Sequence, residues 1–446
     1  ALERLIVTDP ESPLNQRYRG VANLVAQLLN FIPLYFHGGD LVAPLRSRAA
    51  ILRHVVRASG LSLEHSFPPR GGRAKIRLGV IQNQFAPQTE TYASIPLFKD
   101  LPRDRFEVIL YALAQTTSPA EEQCRSLADR FVVLPAEPKA QADAIRADDL
   151  DVLFFGTNLT AVTHPLVLLA SLRLARVQAT ALHSPVTTGM ETMDRFLLGL
   201  AGRDTAEAER AYVEELAVID EPGMAFDFTS RPAPSDFKVD RAALNVPADA
   251  VLFASGANFY KIIPEVRRAW ARILAAVPGS YLVLYPFGPA WSNQYAAGGF
   301  LRSFYTTLAE HGVEGRRLVV MQPLPSPADI GKLLAVCDVY LDSFPYAGAV
   351  SMIDALEAAV PPVAVAGGPQ RFAQAAALLR SVGLDELIAG DAEDYVQLAV
   401  ALARDPGRRE RLSDEVRRRM TDGPRFLDTG WYAGQVAGLF ERICGK

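Results

Sequence analysis

Ser351 and Asp354 stand three residues apart in the stretch VYLDSFPYAGAVSMIDALEAAVPPVAVAG, Val339 to Gly367, where a strand, a small-residue turn, a helix and a second strand follow one another. On a helix that starts after Val350 the two share one face and sit in the first turn. The free amides and positive dipole end there suit a diphosphate, and a carboxylate one turn in suits a pair of ribose hydroxyls. The same spelling is also a capping box, which needs no ligand. Asp149 and Asp151 form an Asp-x-Asp pair of the kind that holds a divalent metal. They precede the apolar run DVLFFG, at the amino edge of a sheet, so we expect a solvated turn there and no metal. Asn158 to Thr160 spells a glycosylation acceptor and carries no weight inside a cell.

A parallel β/α layout is needed to put these groups to use, because ligands of such proteins bind at the carboxyl edge of the sheet. The alternation supports that layout. Strands are expected at KIRLGVIQ from Lys75, FEVILYAL from Phe106, FVVL from Phe131, DVLFFG from Asp151 and VQATAL from Val177. After RPAPSDF, Arg231 to Phe237, the pattern restarts with VLFASG from Val251, YLVLYPFG from Tyr281, RLVVM from Arg317, VYLD from Val339 and PVAVAG from Pro362. Helices are expected from Pro264, Pro327 and Ser351, both prolines suiting a first-turn position. Before the first strand, Arg17 to Arg57 reads as two or three helices broken near Pro33 and at His37 to Asp40, and SFPPRGGR, Ser66 to Arg73, reads as a linker. The resulting division is a helical segment over 1–70, a first Rossmann-like half over 71–232, a second over 238–422 and a terminal helix over 423–446. That helix either caps the second half or crosses back to the first. Two such halves without a GxGxxG argue against a dinucleotide enzyme and for a cleft enzyme whose ligand is held mainly by the second half.

Composition narrows the class. With 446 residues, 49% hydrophobic, 22% charged and a formal charge of −4, the chain is a globular protein of two or three domains and a poor match for nucleic acid or an anionic membrane. Its apolar runs are broken well short of a membrane span. Cys124, Cys337 and Cys444 are scattered without a pairing or zinc pattern, which points to a reducing, cytoplasmic setting. The first residue is Ala1 and no leader is evident, so we expect a catalytic part of a longer protein. Its first 60 residues show no repeat period long enough for a solenoid.

The segments NFYKIIPE, Asn258 to Glu265, then VPGSYLVLYPFG, then RLVVMQPLPSPADIGKLLAVCDVYLDSFPYAGAVSMIDALEAAVPPVAVAG, then LLRSVGLDELIAGDAEDYVQLAVALARDP, resemble the nucleotide-binding half of the protein O-linked N-acetylglucosamine transferases of family 41. The first half is similar to the bacterial cytoplasmic N-glucosyltransferases that modify adhesins, over Val152 to Gly199 and in the tail of Gln84 to Pro96. The resemblance spans residues 75 to 420 in matching order. It implies a GT-B α/β fold, two Rossmann-like domains facing a cleft, and an inverting, metal-independent transfer of a hexose or N-acetylhexosamine from a UDP-sugar to a protein or peptide. On this likeness Asp354 would hold the ribose and Lys261 would face the diphosphate, with Tyr260 and Asn258 shaping the same wall. Without Mg²⁺, the charge that develops on departing UDP has to be met by preorganised donors of this sort.

The departures are equally specific. Where the O-linked enzymes carry Asn, His and two Thr before the helix, this chain has Ala347, Gly348, Ala349, Val350 and Ser351, so phosphate would rest on the backbone amides of Gly348 to Ser351. In the uracil-side loop Gln322, Ser326 and Asp329 replace basic and histidine positions, leaving main-chain groups near Gln322 and Leu324 to hold uracil. On the acceptor side the N-glucosyltransferases' histidine is matched near Thr89 and Glu90, without an imidazole. Glu90, or His183 in the turn before SPVTTG, would take the acceptor's proton. Ser184 to Gly189 would either contact sugar or only cap the next helix. His54, His164 and His311 have sufficient structural readings, and the HGGD turn at His37 would lie near an acceptor protein. A Ser or Thr hydroxyl fits one half of the likeness and an Asn amide the other. Two alternatives stand beside the enzyme: an inactive GT-B scaffold that binds a nucleotide or partner, and a transferase acting on a small molecule or glycan.

Overall fold

In the computed structural model, which describes residues 13–199, 209–285 and 297–445, the chain divides into two compact units. One comprises Ala1–Ser230 with Arg425–Lys446, the other Arg231–Pro424.

The first unit is built on a seven-stranded sheet of β1 (Ile76–Gln82), β2 (Phe106–Ala112), β3 (Arg130–Val133), β4 (Val152–Phe155), β5 (Val177–Thr180), β6 (Arg195–Gly199) and β7 (Glu215–Ile219), in the order 3-2-1-4-5-6-7 with every pairing parallel. The central strands read as continuous apolar runs because helices cover both faces, as parallel sheets require. Ile76, Leu78, Val80, Phe106, Val108, Leu110, Val152 and Phe154 join one core with Tyr432, Ala433, Val436, Leu439 and Phe440 of the terminal helix Thr429–Ile443. The helical spacing of those last residues is thus the seam of a first-unit core. On the opposite face Leu52 and Val56, from the helix Val42–Ala58, pack with Phe155, Leu166 and Met190. Gly189 lies against that helix: its φ is +70° and an added Cβ would stand 2.3 Å from the carbonyl carbon of Leu45. Strands β6 and β7 were not expected. Their sequences, RFLLG and ELAVI, are short and sit beside charged segments that hide the alternation.

The second unit has six parallel strands, β8 (Leu252–Ser255), β9 (Tyr281–Leu284), β10 (Leu318–Val320), β11 (Val339–Leu341), β12 (Pro362–Val365) and β13 (Ile388–Ala389), in the order 10-9-8-11-12-13. Its switch point lies between β8 and β11, and the two loops leaving those strands carry Lys261 and the turn before Ser351. The last three residues expected for the Tyr281 strand, Pro286 to Gly288, lie outside the described residues, as do residues 1–12 of the expected N-terminal segment.

One expectation fails in the first unit. Asp151 is not in a solvated turn: its side chain is 1% exposed and pairs with Arg70 at 3.1 Å and Arg73 at 3.2 Å, while one oxygen accepts the Arg77 amide at 2.9 Å. The arginines of SFPPRGGR, read as a loose linker, are therefore pinned to the base of the sheet. No described helix is long and apolar enough to cross a membrane.

Candidate active site

In the second unit three loops at the carboxyl edge meet around one carbonyl. Lys261 ends the short 3-10 helix Phe259–Lys261 after β8, and its Nζ donates to the Ala347 carbonyl at 2.9 Å while lying 3.9 Å from the centroid of the Tyr346 ring. Gln374, on the helix Gln370–Ser381 after β12, donates Nε2 to the same carbonyl at 2.5 Å. Asp342, just beyond β11, is buried, and both its oxygens accept the Gly348 amide, at 2.9 and 3.0 Å. An added Cβ on Gly348 would stand 2.7 Å from Asp342 Oδ1 and 2.5 Å from Ser351 Oγ, so no side chain fits there. Behind this, Tyr395 donates its hydroxyl to the Asp342 carbonyl at 2.8 Å and accepts the Trp270 indole N–H at 3.0 Å.

Burial dominates the electrostatics. Desolvation lowers the Lys261 ammonium to about 8, opposed by the Asp342 charge, and raises the Asp342 carboxyl to about 6, opposed by the Gly348 amide and by Lys261. An ammonium with weakened hydration, beside helix amides that have no intrahelical partner, is a site prepared for added negative charge.

Two sequence expectations need correction. The Gly348 amide is not open to a phosphate, because Asp342 occupies it; the amides of Ala349, Val350 and Ser351 lead into the first turn of the helix Val350–Glu357 and are the ones left. Nor do Ser351 and Asp354 form a capping box. The cap position is Ala349, with no side-chain bond, and Asp354 turns instead to Arg231, whose Nη1 lies 3.1 Å from Asp354 Oδ1 and 3.3 Å from Glu357 Oε2. Asp354 is 7% exposed, and burial raises its carboxyl to about 7 against the pull of Arg231. Asn258 and Tyr260 are half-buried beside Lys261, with Asn258 at the cap of its 3-10 helix. Gln322 is exposed and Leu324 buried in the loop after β10, where Ser326 and Asp329 make a capping box and Asp329 also holds Ser235. Those replacements for the family's polar positions thus serve the loop itself.

Sequence reasoning passed over Asp342, although its place at the end of VYLD was a usable signal. It also passed over Gln374 and Arg231, whose partners lie 27 and 123 residues away in sequence.

In the first unit His183 and Glu90 do come together, at the backbone. His183 is 7% exposed, and its Nε2 lies 3.2 Å from the Glu90 carbonyl and 3.0 Å from Ser94 Oγ. Gln82 Nε2 donates to both of those groups, at 2.9 and 2.8 Å. A carbonyl can only accept, so a proton on Nε2 satisfies it and leaves the Nδ1 lone pair, which has no hydrogen-bond partner among the described residues, as the basic atom. Burial depresses the imidazole to about 4 and raises the Glu90 carboxyl. The SPVTTG hydroxyls serve structure: Thr187 Oγ1 and Thr188 Oγ1 donate to buried Glu214 at 2.6 and 2.5 Å, and the Thr188 amide does so at 2.7 Å. His164 and His311 bond main-chain carbonyls, and the HGGD turn closes on itself through Gly39 N–H to His37 Nδ1.

The sequence model of glycosyl transferase family 41 matches residues 228–436, a span that holds Arg231, Lys261, Asp342 and Asp354. Residues 228–436 belong to glycosyl transferase family 41. Across a longer stretch the chain is 33% identical over 289 residues to a probable UDP-N-acetylglucosamine–peptide N-acetylglucosaminyltransferase, SPINDLY, of Arabidopsis thaliana, covering 65% of this chain and 30% of that protein. It is 24% identical to the SEC protein of the same plant, covering 83% of this chain and 37% of that one. The chain thus spans about three tenths of the length of the SPINDLY relatives it matches. Among solved structures, a Thermobaculum terrenum O-GlcNAc transferase mutant superposes with a TM-score of 0.75 at 23% identity, covering 97% of this chain and 79% of that one. Anabaena HepE, solved with UDP and glucose, gives 0.54 at 16%, covering 82% and 100%. The GT-B fold class is borne out by these likenesses and by the two parallel-sheet units of the chain.

Proposed function

We propose that the chain is an inverting, metal-independent glycosyltransferase that moves a hexose or N-acetylhexosamine from a UDP-sugar to a protein side chain. The observation that carries this reading is the meeting of Lys261, the Ala347 carbonyl and the first-turn amides after Ala349 at the switch point of the second sheet. As the bond from the anomeric carbon to the diphosphate breaks, the added charge on UDP is met by the Lys261 ammonium and by those amides. Asp354 holds the ribose through Oδ2, since Arg231 is bonded to Oδ1. Asn258 and Tyr260 line the same wall, and the main chain near Gln322 and Leu324 meets uracil. The acceptor's nucleophile attacks the opposite face of the anomeric carbon and loses its proton to His183 Nδ1 or to the Glu90 carboxylate.

The activities for which the SPINDLY and SEC relatives are named support a peptide acceptor. The likeness of Val152 to Gly199 to bacterial N-glucosyltransferases keeps an Asn amide beside a Ser or Thr hydroxyl as nucleophile, and a bacterial, cytoplasmic setting belongs to the same proposal. The second reading, a nucleotide-binding scaffold without turnover, is favoured by the loss of one phosphate-side amide to Asp342.

Titration of the chain with UDP, with and without Mg²⁺, beside Lys261→Ala and Asp354→Ala, tests the proposal. Binding that ignores Mg²⁺ and fails in both variants is expected. Binding that needs the metal, or survives both substitutions, overturns the donor site. Turnover of UDP-GlcNAc or UDP-glucose that is indifferent to Lys261→Ala refutes the assigned chemistry, and binding without any turnover establishes the scaffold.

A further inference from the structure

Gln370 carries a primary amide that makes no hydrogen bond among the described residues. The residue is 6% exposed, and neither its Nε2 nor its Oε1 has a partner among those residues. A native fold seldom leaves a buried amide unsatisfied on both atoms, and where it does a ligand is one reason.

Its position says which ligand. Gln370 opens the helix Gln370–Ser381 after β12, so it stands at the carboxyl edge of the second sheet, as Lys261 and Asp342 do. Gln374 lies one turn further along on the same face, and its amide reaches the Ala347 carbonyl that also accepts Lys261 Nζ. Gln370 is therefore offset by about one helical turn, ~5.4 Å, from the Lys261 position, on the side toward which helical side chains lean. That is about the offset of a sugar ring from the diphosphate that bears it. The loop before it leaves room at Gly367, where φ is +102° and nothing lies within 4 Å of an added Cβ, while a Cβ on Gly368 would stand 2.7 Å from Phe372 Cδ2. A carboxamide offers two donors and one acceptor on a planar group, which matches neighbouring hydroxyls of a pyranose and gives no advantage on a phosphate.

We propose that Gln370 is the residue that recognises the sugar of the donor, hydrogen-bonding hydroxyls of the hexosyl ring. The inference rests on the UDP-sugar reading and adds to it a group that discriminates UDP-sugar from UDP. The unpartnered amide is then a destabilising feature of the free protein that a bound sugar relieves.

The test compares wild type with Gln370→Leu and Gln370→Met, using calorimetric titration with UDP, UDP-GlcNAc and UDP-glucose and thermal melts without ligand. Both variants should melt at or above the wild-type temperature, since an apolar side chain replaces an unsatisfied one. Both should bind UDP within twofold of wild type and lose tenfold or more for at least one UDP-sugar. Wild-type UDP-sugar affinity in the variants overturns the inference while leaving the donor site standing. Equal losses for UDP and UDP-sugar, or a lowered melting temperature in both variants, assign Gln370 a structural role and overturn it too. A wild-type chain that binds UDP but gains or loses nothing from the sugar overturns the inference alone. One that binds neither removes the donor-site reading with it.

Discussion

Asp354→Asn should make the protein more stable and less able to bind UDP, and the gain should depend on pH in a way fixed by burial. The Asp354 carboxyl is raised from an ordinary 3.8 to about 7, chiefly by desolvation, with Arg231 at 3.1 Å opposing and Glu357 adding to the rise; Tyr285 and Tyr340 are the other titratable groups that feel its charge. A carboxyl with a raised pKa in the folded state binds its proton more tightly there than in the unfolded chain. Its ionisation therefore costs stability, nothing below about pH 4 and the full amount above about pH 7. Three pKa units at about 1.36 kcal/mol each set an upper limit of about 4 kcal/mol. Asparagine stays neutral and mimics the protonated acid, so the substitution removes that penalty. Urea denaturation, followed by fluorescence of Trp270 buried in the same unit, should show Asp354→Asn ahead of wild type by about 2–4 kcal/mol at pH 8.5. More than half of that gain should be lost by pH 5. UDP affinity should fall at least tenfold, because a ribose hydroxyl pair is better met by an anion. A variant less stable than wild type at pH 8.5, or a gain that does not shrink on acidification, refutes the claim that desolvation outweighs the Arg231 pair.

Lys261→Ala should reduce turnover by about 10²–10³-fold, as removal of a transition-state donor does, and in wild type the rate should decline as pH rises through about 8, where the buried ammonium loses its proton; steady-state kinetics across pH 6 to 9.5 check both. His183→Ala should lower turnover by about 10²-fold or more with UDP affinity unchanged, whereas a purely structural histidine would move the melting temperature and leave the rate of surviving enzyme intact. Glu214→Ala should destabilise the first unit by about 3 kcal/mol, because two threonine hydroxyls and the Thr188 amide lose a buried anionic acceptor; the denaturation midpoint measures it.

The amino-acid sequence by itself determined the layered α/β architecture, because buried parallel strands must be continuous apolar runs and the helices between them must be amphipathic. It located the working edge of the second sheet, since Asp342, Ser351 and Lys261 follow strands whose apolar cores are plain in VYLD and VLFAS, and the order of motifs around them marked the family. It did not reveal β6, β7 or β13, which are short and lack a period long enough to recognise. Tertiary structure alone decided which polar groups are spent and which are free. Asp342 takes the Gly348 amide, Arg231 takes one oxygen of Asp354, Glu214 takes the SPVTTG threonines, and the Glu90 carbonyl sets the free nitrogen of His183. All but the first of these pairings join residues that local pattern cannot connect, and each was chosen by desolvation, which makes a buried polar group bind whichever partner the fold brings within reach. Gln370 departs from that rule on both atoms of its side chain, a buried amide with no partner among the described residues.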